Sequence, residues 1–339
     1  MAKEIGICLI GAGRAGMIHA RNFQGKIPQS RVVSVVDPNI ETAERACREL
    51  GISQYYTNVE QALEDKSVHG VIIASPTRYH KEIALAAAEA RKHILCEKPM
   101  AMDEDECDEM IRAAQKNKVQ LHMAFMRRFD SSFIQAKKMI DSGEVGDVVL
   151  VKSLTHGPSI PQKWQYDITK SNGPLAEVNS HDIDTIRWFS GSEFQSVYAV
   201  AGNYRCPEAK DEFPDFYDNV IMVASLTGGR QGLVDGAVSV KYGYDARVEV
   251  LGEKGVLTVG QLHDGSVVAC SQGSDVTRPV VKSWRNLFAE SYLAEDMNFV
   301  TSIIEGKSPQ VTGVDGKMAV KVVKAGNTSI TEKRIVHLE

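Results

Sequence analysis

A glycine-rich turn lies between an apolar run and a helical pattern near the start of the chain, and it limits the possible folds more than any other feature. The run IGICLI (5–10) has the length and composition of a buried parallel strand. GAGRAG (11–16) follows at once with the spacing G-x-G-x-x-G, and RAGMIHARNF (14–23) has helical periodicity. A strand, a glycine turn and a helix in this order are typical of the first unit of a doubly wound parallel sheet.

The alternation of strand and helix continues to about residue 124. Strands that alternate with helices of roughly 10–15 residues indicate βαβ units. We therefore predict an α/β Rossmann domain over residues 1–124. Its further strand-type runs are RVVSVVD (31–37), HGVIIAS (69–75), HILCE (93–97) and VQLHMAF (119–125).

From residue 125 onward the pattern changes to consecutive strands. Five strand-type runs between residues 194 and 259 are separated by turn signals such as TGGR and GEKG, without a helical run between them. This order predicts an α+β domain with a large, mostly antiparallel sheet over residues 125–339. A chain of 339 residues also exceeds the size at which one hydrophobic core usually stops growing, which favours two domains.

Composition excludes several classes of partner. The net charge is −5 and no dense Lys/Arg block occurs, so we expect no nucleic-acid or anionic-membrane partner. No apolar run approaches the roughly 20 residues that cross a bilayer, and the N-terminus lacks the features of a signal peptide, so we expect a cytoplasmic protein. The six cysteines are scattered without metal-ligand spacing, so we expect neither disulfides nor a metal site.

The glycine motif predicts a dinucleotide site when it is combined with Asp37. A carboxylate at the end of the second strand, about 20 residues after the motif, would accept hydrogen bonds from the adenine-ribose hydroxyls. The alternative is that the glycines only form a turn and that Asp37 caps the next helix. Asp37 would repel a 2′-phosphate and the following Pro38 and Asn39 offer no cation, so NAD is favoured over NADP, although Arg14 could reach a phosphate.

A second candidate site lies in EVNSHDIDTIRWFS (177–190). Glu177, His181 and Asp184 have the spacing i, i+4 and i+7, which predicts one stripe on one helix. A carboxylate that faces an imidazole orients it and raises its basicity, so Glu177 and His181 are candidates for a catalytic pair. The alternative for His181 is a satisfied core histidine, and Asp184 could orient His181 or anchor the helix.

Three segments of the chain resemble the glucose–fructose oxidoreductase/inositol dehydrogenase/MocA (GFO/IDH/MocA) family. They are GAGRAGMIHARNF (11–23), SHDIDTIRWFSG (180–191) and ASPTRYHKEIALAAAEARKHILCEKPMA (74–101), and the last contains the most specific motif, Glu97-Lys98-Pro99. KYGYDARVEVLGEKG (241–255) further resembles the inositol 2-dehydrogenase branch. The likeness extends over essentially the whole chain.

The resemblance implies a Rossmann domain for NAD and a second domain that binds substrate. The open sheet face of the second domain would build a homodimer or homotetramer. Lys98 would lie beside the nicotinamide and the reacting oxygen, with a cis bond to Pro99 that fixes it. His181 matches the family's histidine, whereas Glu177 stands where inositol dehydrogenases carry an aspartate.

The candidate residues form three groups. Lys98, His181 and Glu177 are the predicted catalytic residues. The alternative to a cofactor contact for Thr77 is a helix cap, and the alternative to a substrate contact for Arg127 is an ion pair with Asp130. Tyr244 is preferred over Tyr242 as a substrate residue, because only one of them can face a cleft if both lie in a strand. The predicted cofactor-binding residues are Gly11, Gly13, Arg14, Ala15, Gly16, Asp37, Ser75, Thr77, His80, Glu97 and Lys98. The predicted substrate-binding residues are Lys98, Arg127, His156, Trp164, Glu177, His181 and Tyr244.

The function predicted from these residues is an NAD-dependent dehydrogenase. It would oxidise a secondary hydroxyl of a cyclitol or sugar-like polyol, with myo-inositol as the first candidate, by hydride transfer to nicotinamide. One alternative is an NADP-linked ketosugar reductase. Another is a hydrolase or lyase that uses tightly bound NAD for transient oxidation. The presence of Lys98 together with His181 argues against a non-catalytic regulator.

Overall fold

The structure, a computed structural model, describes residues 4–270 and 276–338 and contains two compact units. The first unit comprises the chain up to Phe129 together with Glu290–Val320, and the second comprises Asp130–Ala289 and the chain from Lys321. The predicted boundary at residues 124/125 differs from this division by five residues. The larger difference is the return of Glu290–Val320 to the first unit, which the prediction had assigned to the second domain.

The first unit is built on a six-stranded parallel sheet with the order β3-β2-β1-β4-β5-β6, the doubly wound order of a Rossmann fold. Its central strand β1 is buried along its whole length, as the continuous apolar run requires. The strands are β1 (Ile5–Ile10), β2 (Ser30–Val36), β3 (Tyr55–Tyr56), β4 (Gly70–Ile73), β5 (His93–Glu97) and β6 (Leu121–Ala124). The helices between them are α1 (Arg14–Gly25), α2 (Ile40–Leu50), α3 (Val59–Leu63), α4 (His80–Glu89) and α5 (Glu104–Asn117), with 3₁₀ turns at Thr77–Tyr79 and Met126–Phe129.

The second unit contains a seven-stranded sheet with the order β12-β11-β7-β10-β9-β8-β13. Only the pair β7–β10 is parallel, so the expected mostly antiparallel sheet is confirmed. The strands are β7 (Val148–Gly157), β8 (Phe194–Gly202), β9 (Asn219–Leu226), β10 (Gln231–Val238), β11 (Asp245–Gly252), β12 (Val256–Val259) and β13 (Val336–His337). The helices from residue 131 onward include α12 and the start of α13, which belong to the first unit. They are α6 (Ser131–Asp141), α7 (Lys163–Tyr166), α8 (Ile168–Ser171), α9 (Gly173–Glu177), α10 (Ser180–Ser190), α11 (Trp284–Leu287), α12 (Ala289–Glu305) and α13 (Gly313–Glu332), with 3₁₀ turns at Pro207–Ala209 and Thr227–Gly229.

Helix α12 explains why a late part of the chain belongs to the first unit. Phe299 and Val300 of α12 are buried in the same hydrophobic cluster as Ile5 of β1 and Phe23 of α1. The rings of Phe23 and Phe299 meet edge to face, with centroids 6.3 Å apart. The apolar side of α12 therefore completes the core beside the first strand and helix.

The two faces of the sheet in the second unit differ in what packs against them. The inner face packs against α10. A Cβ on Gly236 would lie 2.2 Å from the Oδ1 atom of Asn179, which precedes α10, so any larger residue would displace the Asn179 side chain. Ser153 and Thr155 of β7 also point to this side. Because side chains alternate along a strand, His156 of β7 and Asp235 of β10 lie on the opposite side, the open face.

Within the described ranges, no helix combines the length and the apolar character needed to span a bilayer.

Candidate functional site

Two of the three glycines in the turn are required by close packing. Gly11 has φ +95°, and a Cβ on it would lie 2.6 Å from the carbonyl oxygen of Ala74 at the end of β4. A Cβ on Gly16 would lie 2.1 Å from the carbonyl oxygen of Gly11. Gly11 therefore lets the turn cross the edge of the sheet, and Gly16 lets α1 start directly against it.

Gly13 has a different role, because a Cβ on it would have no heavy atom within 4 Å. It is exposed and occupies the N-cap position of α1, where no side chain caps the helix. The start of α1 therefore has open space beside Gly13 and no cap from its N-cap side chain, an arrangement that can accommodate a phosphate at a helix N-terminus. Arg14 and Ala15 are the first residues of α1, and Arg14 is exposed.

Asp37 is oriented by the backbone on both sides of it. Its Oδ2 atom accepts a hydrogen bond from Ala12 N (3.0 Å) and its Oδ1 atom accepts one from Asn39 N (2.9 Å). The cap of α2 is Asn39, whose Oδ1 atom accepts from Thr42 N, so Asp37 does not cap that helix. The carboxylate is thereby held over the glycine turn and stays partly exposed. The glycine turn and Asp37 together fit the pyrophosphate and ribose of a dinucleotide.

The loop after β4 contains the three predicted residues Ser75, Thr77 and His80. Both ring nitrogens of His80 contact backbone carbonyls, Nε2 that of Ser75 at 2.8 Å and Nδ1 that of Pro99 at 2.9 Å. His80 and Thr77 are buried, and the Ser75 Oγ atom is buried without a hydrogen-bond partner among the described residues. Burial lowers the pKa of His80. The ring of His80 therefore ties the two loops together, and its predicted contact with a cofactor stays a prediction.

The motif Glu97-Lys98-Pro99 ends β5, and its Lys98–Pro99 bond is cis, as the resemblance implied. Lys98 is partly exposed, whereas Glu97 is buried. The Oε2 atom of Glu97 accepts a hydrogen bond from Lys98 N (3.1 Å), and its Oε1 atom lies 3.2 Å from His19 Nε2. Glu97 was predicted to bind the cofactor, and that contact stays a prediction. Both of its carboxylate oxygens contact groups of the protein, in an ionic cluster that sequence reasoning did not detect.

We define this buried ionic cluster as His19 and Asn22 of α1, Glu97 of β5, and Glu295 and Asp296 of α12. His19 Nδ1 lies 2.6 Å from Asp296 Oδ1. Burial alone would lower the pKa of His19, but Asp296 and Glu97 raise it well above its usual value. Burial would raise the pKa of Glu97, yet His19 and Lys98 outweigh it and lower that pKa. The cluster thus holds an imidazolium between carboxylates.

The helix predicted to carry Glu177 and His181 together is two helices. Glu177 is the last residue of α9, and His181 is the second residue of α10. Val178 (φ −120°, ψ −53°) and Asn179 (φ −88°, ψ 0°) interrupt the helical path between them. The expectation of one stripe on one helix is therefore wrong. His181 and Asp184 are both buried on α10, and Glu177 is half-buried.

Asp182, to which the sequence reasoning gave no role, anchors α10 to the inner face. Its Oδ1 atom accepts hydrogen bonds from Ser153 Oγ (2.6 Å) and Thr155 Oγ1 (2.9 Å) of β7. Its Oδ2 atom accepts from Asn179 Nδ2 at 2.8 Å. Asp182 is fully buried, so these three donors compensate its desolvation. The backbone of the neighbouring His181 is fixed as a result.

Glu177 has a partner in the loop that follows β7. Its Oε2 atom accepts a hydrogen bond from Gln165 Nε2 at 3.1 Å, and Gln165 belongs to α7. Trp164 precedes Gln165 and donates from Nε1 to Gln162 Oε1 at 2.9 Å. Of the predicted residues, Trp164 is thus part of this short helix and Glu177 is hydrogen-bonded to it.

Two predicted substrate residues lie elsewhere than expected. His156 is on the open face, where its Nε2 atom contacts Asp235 Oδ1 (3.0 Å) and its Nδ1 atom contacts the Tyr242 hydroxyl. It thus points away from α10, and Thr155 is the β7 residue that points toward α10. Tyr244 is buried against Phe288, and neither tyrosine lies in a strand, because β11 starts at Asp245. Substrate contacts by His156 and by Tyr244 therefore have no support from their surroundings.

Arg127 is buried in the 3₁₀ turn that follows β6. Its neighbour Arg128 pairs with Asp315 of α13 at 3.1 Å. A substrate contact by Arg127 stays a prediction. Among the described residues, no group of three His, Cys, Asp or Glu side chains is arranged to hold a metal ion.

Comparison with known proteins matches two parts of the chain to models of one protein family. Residues 5–125 match the model described as an oxidoreductase family with an NAD-binding Rossmann fold, and residues 133–258 match the GFO/IDH/MocA C-terminal domain. The myo-inositol 2-dehydrogenase of Thermotoga maritima is 31% identical over 333 residues, which cover 98% of this chain and 98% of the relative. The chain belongs to the GFO/IDH/MocA family.

Two further members of the family are similar to this chain over its whole length. The scyllo-inositol 2-dehydrogenase (NAD(+)) of Bacillus subtilis is 30% identical over 340 residues, covering 100% of this chain and 98% of the relative. The crystal structure of scyllo-inositol dehydrogenase from Lactobacillus casei with bound NAD(H) and scyllo-inositol is 26% identical, covers 99% of both chains and has a TM-score of 0.90. GFO/IDH/MocA membership confirms the predicted family, fold class, oxidoreductase activity and NAD-binding Rossmann domain.

Proposed function

We propose that this family member is an NAD-dependent dehydrogenase that oxidises a secondary hydroxyl of a cyclitol, with myo-inositol as its first candidate substrate. The observation that carries the proposal is the full-length likeness to inositol 2-dehydrogenases, at 31% identity to the enzyme of T. maritima and 30% to that of B. subtilis. The chain also contains a lysine and a histidine of the kind that alcohol oxidation needs as hydrogen-bond donor and base.

The first unit would hold the cofactor. Bound NAD supplies the acceptor for the hydride that leaves the oxidised carbon. The open space at Gly13 and the uncapped start of α1 suit the pyrophosphate, and the carboxylate of Asp37 suits the ribose hydroxyls. Because that carboxylate would repel a 2′-phosphate, NAD is favoured over NADP.

Lys98 would stabilise the reacting oxygen. It follows β5 at the carboxyl edge of the parallel sheet, which is where ligands bind in open α/β sheets. When a hydroxyl loses its proton during oxidation, negative charge develops on the oxygen, and a fixed ammonium group beside it lowers the barrier. The partly exposed side chain of Lys98 can serve as that donor.

His181 would accept the hydroxyl proton, because imidazole titrates nearest neutrality. The support for this role is the anchoring of α10 by Asp182, which fixes the start of the helix that bears His181. Glu177 would bind a substrate hydroxyl or orient the imidazole, with Gln165 holding its carboxylate. A base that is already oriented loses little entropy in the reaction, which increases the rate.

The test is NADH formation by the purified protein on a panel of inositols, hexoses and sugar acids, with the variants Lys98→Met and His181→Ala. We expect turnover with an inositol, and a loss of about 100-fold or more in kcat in each variant. NADH binding, followed by its fluorescence, should change little in His181→Ala. Absence of turnover with every inositol contradicts the substrate, and wild-type kcat in either variant contradicts its assigned role.

We also infer that the chain assembles into a homodimer or homotetramer through the open face. Apolar side chains from neighbouring strands are exposed there, Val200 by 52%, Val223 by 46% and Ile221 by 44%. Cross-strand pairing places Val200 beside Ile221 and Tyr198 beside Val223 on this face. A contiguous apolar patch of this kind on a protein surface is typical of an interface. The cytoplasmic location stays a prediction from the sequence.

A further inference from the structure

The function proposed above assigns no role to the buried ionic cluster, although one of its members, Glu97, directly precedes Lys98. Its members come from three elements, α1, β5 and α12. Every one of the five side chains is buried, with His19 and Asp296 at 0% exposure and Glu97 at 6%. Charged groups are rarely buried to this extent unless they compensate one another, so the cluster calls for an explanation.

His19 stands at the centre of the cluster. Its Nδ1 atom lies 2.6 Å from Asp296 Oδ1 and its Nε2 atom lies 3.2 Å from Glu97 Oε1. Carboxylate oxygens can only accept, and a neutral imidazole has one N–H, so both contacts are hydrogen bonds only if His19 carries two protons. The raised pKa of His19, which Asp296 and Glu97 cause against the effect of burial, agrees with this geometry.

Asp296 and Glu97, the two carboxylates that contact His19, each have a second contact that fixes their orientation. Asp296 Oδ2 accepts a hydrogen bond from Asn22 Nδ2 at 2.8 Å. Glu97 Oε2 accepts one from the backbone N of Lys98 at 3.1 Å. The ring of Tyr292 packs edge to face on His19, with centroids 5.3 Å apart. A continuous set of contacts thus leads from α12 through His19 and Glu97 to the backbone of Lys98.

We propose that His19 is a positioning residue for Lys98, acting through Glu97. The imidazolium holds the Glu97 carboxylate in the rotamer that accepts from Lys98 N, and so fixes the peptide from which the Lys98 side chain extends. This inference rests on the proposed function, because it requires that Lys98 acts on the reacting oxygen. A cation placed loosely beside that oxygen would stabilise the developing charge less well.

The two ring contacts of His19 can be separated by substitution. The side-chain amide of asparagine reaches the place of Nδ1 and that of glutamine reaches the place of Nε2, so His19→Asn keeps a donor for Asp296 and His19→Gln keeps one for Glu97. Both variants should melt at lower temperature than the wild type. His19→Asn should lower kcat by about tenfold or more, whereas His19→Gln should stay within about threefold of the wild type. The KM for NAD should change less than kcat in His19→Asn.

The matched control is His122→Asn, at another buried histidine of the same unit. His122 contacts Gln120 Oε1 at 2.8 Å and the ring of Phe299, neither of which belongs to the buried ionic cluster. His122→Asn should lower the melting temperature and leave kcat unchanged. Equal kcat in His19→Asn and His19→Gln overturns the inference, because a purely structural role would not distinguish them.

Two further variants separate the possible failures. If Lys98→Met keeps wild-type turnover in the same assay, the proposed role of Lys98 fails, and the positioning inference fails with it. If Lys98→Met is inactive while His19→Asn keeps full kcat, only the positioning inference fails. Glu97→Ala removes the same link from the other side and should lower kcat by a similar factor, so wild-type turnover in Glu97→Ala overturns the inference even if His19→Asn does not fold.

Discussion

Asp37 shows how one carboxylate can organise a turn and keep capacity for a ligand. Two backbone N–H groups, of Ala12 and Asn39, each use one of its oxygens. An ionised carboxylate has about four acceptor positions, so roughly two are left for ribose hydroxyls. The hydrogen bond from Ala12 also means that the acid is part of the glycine turn and not only a neighbour of it.

At the residue scale, Asp37→Ser should weaken NADH binding by about 10- to 100-fold, because it removes charged hydrogen bonds worth about 1.5–3 kcal/mol. NADPH binding should weaken less or improve, since the negative charge that repels a 2′-phosphate is gone. Fluorescence titration with both cofactors measures the ratio. The control Asn39→Ala removes only the cap of α2, so it should lower stability without changing the ratio. An unaltered ratio in Asp37→Ser would show that Asp37 does not select the cofactor.

The arrangement of the glycine turn and Asp37 could be predicted from the sequence because its signals are local. The glycine spacing and Asp37 depend on one strand, one turn and one helix, which neighbouring residues determine. The face on which His156 lies depends on which side of the sheet α10 covers, and no residue near His156 carries that information. A shift of one position along a strand moves a side chain to the other face.

At the element scale, the break between α9 and α10 was not predictable from periodicity. The segment has helical spacing throughout, yet Asn179 interrupts it to bind Asp182 and to pack on Gly236 of β10. The glycine leaves the space that the asparagine side chain fills. Tertiary contacts with a distant strand thus override a local helical pattern.

Helix α12 brings into the core a carboxyl group, that of Glu295, whose pKa the folded protein raises. Glu295 is 2% exposed, and neither of its oxygens has a hydrogen-bond partner among the described residues. Burial, with the charges of Asp296 and Glu97, raises its pKa well above the usual 4.5, against the opposing effect of His19. The folded state therefore binds a proton that the unfolded state releases above about pH 4.5, and stability falls as pH rises through that window.

Glu295→Gln should remove this dependence, because glutamine is neutral in both states. We expect the variant to melt above the wild type at neutral and alkaline pH, by a few degrees, which corresponds to about 1 kcal/mol. The difference should shrink toward pH 4.5. His19, whose raised pKa gives a further loss of stability above pH 6.5, is present in both proteins and affects both melting curves. The exposed Glu89 of α4 provides the control Glu89→Gln, and a pH-independent difference for Glu295→Gln would contradict the assignment.

At the scale of the whole molecule, the open face predicts self-association. Ile221→Asp together with Val223→Asp places like charges in the exposed apolar patch, so a second copy that packs the same patch against it is repelled. We expect sedimentation velocity to show dimers or tetramers of the wild type and monomers of the double variant. Ile40→Lys, at an exposed apolar residue at the start of α2, should leave the assembly unchanged. A wild type that is monomeric at micromolar concentration contradicts the inference.

The two-unit organisation was predicted from the change of pattern near residue 125, but the return of α12 to the first unit was not. Its sequence is an ordinary amphipathic helix, and nothing in it states which core it completes. Phe299 and Val300 are apolar like many residues of the second unit. Which core such a helix packs against is decided by the complementarity of shape and of buried charges. The hydrophobic periodicity of the sequence carries no information on either.

The buried ionic cluster has a consequence for how the protein is made. His19 emerges early in synthesis, and its partner Asp296 follows 277 residues later. Until α12 leaves the ribosome, the nucleotide-binding unit lacks one side of its core and the counter-charge for its central histidine. Completion of the nucleotide-binding unit must therefore wait for most of the chain, so a polypeptide cut short before α12 cannot complete that unit.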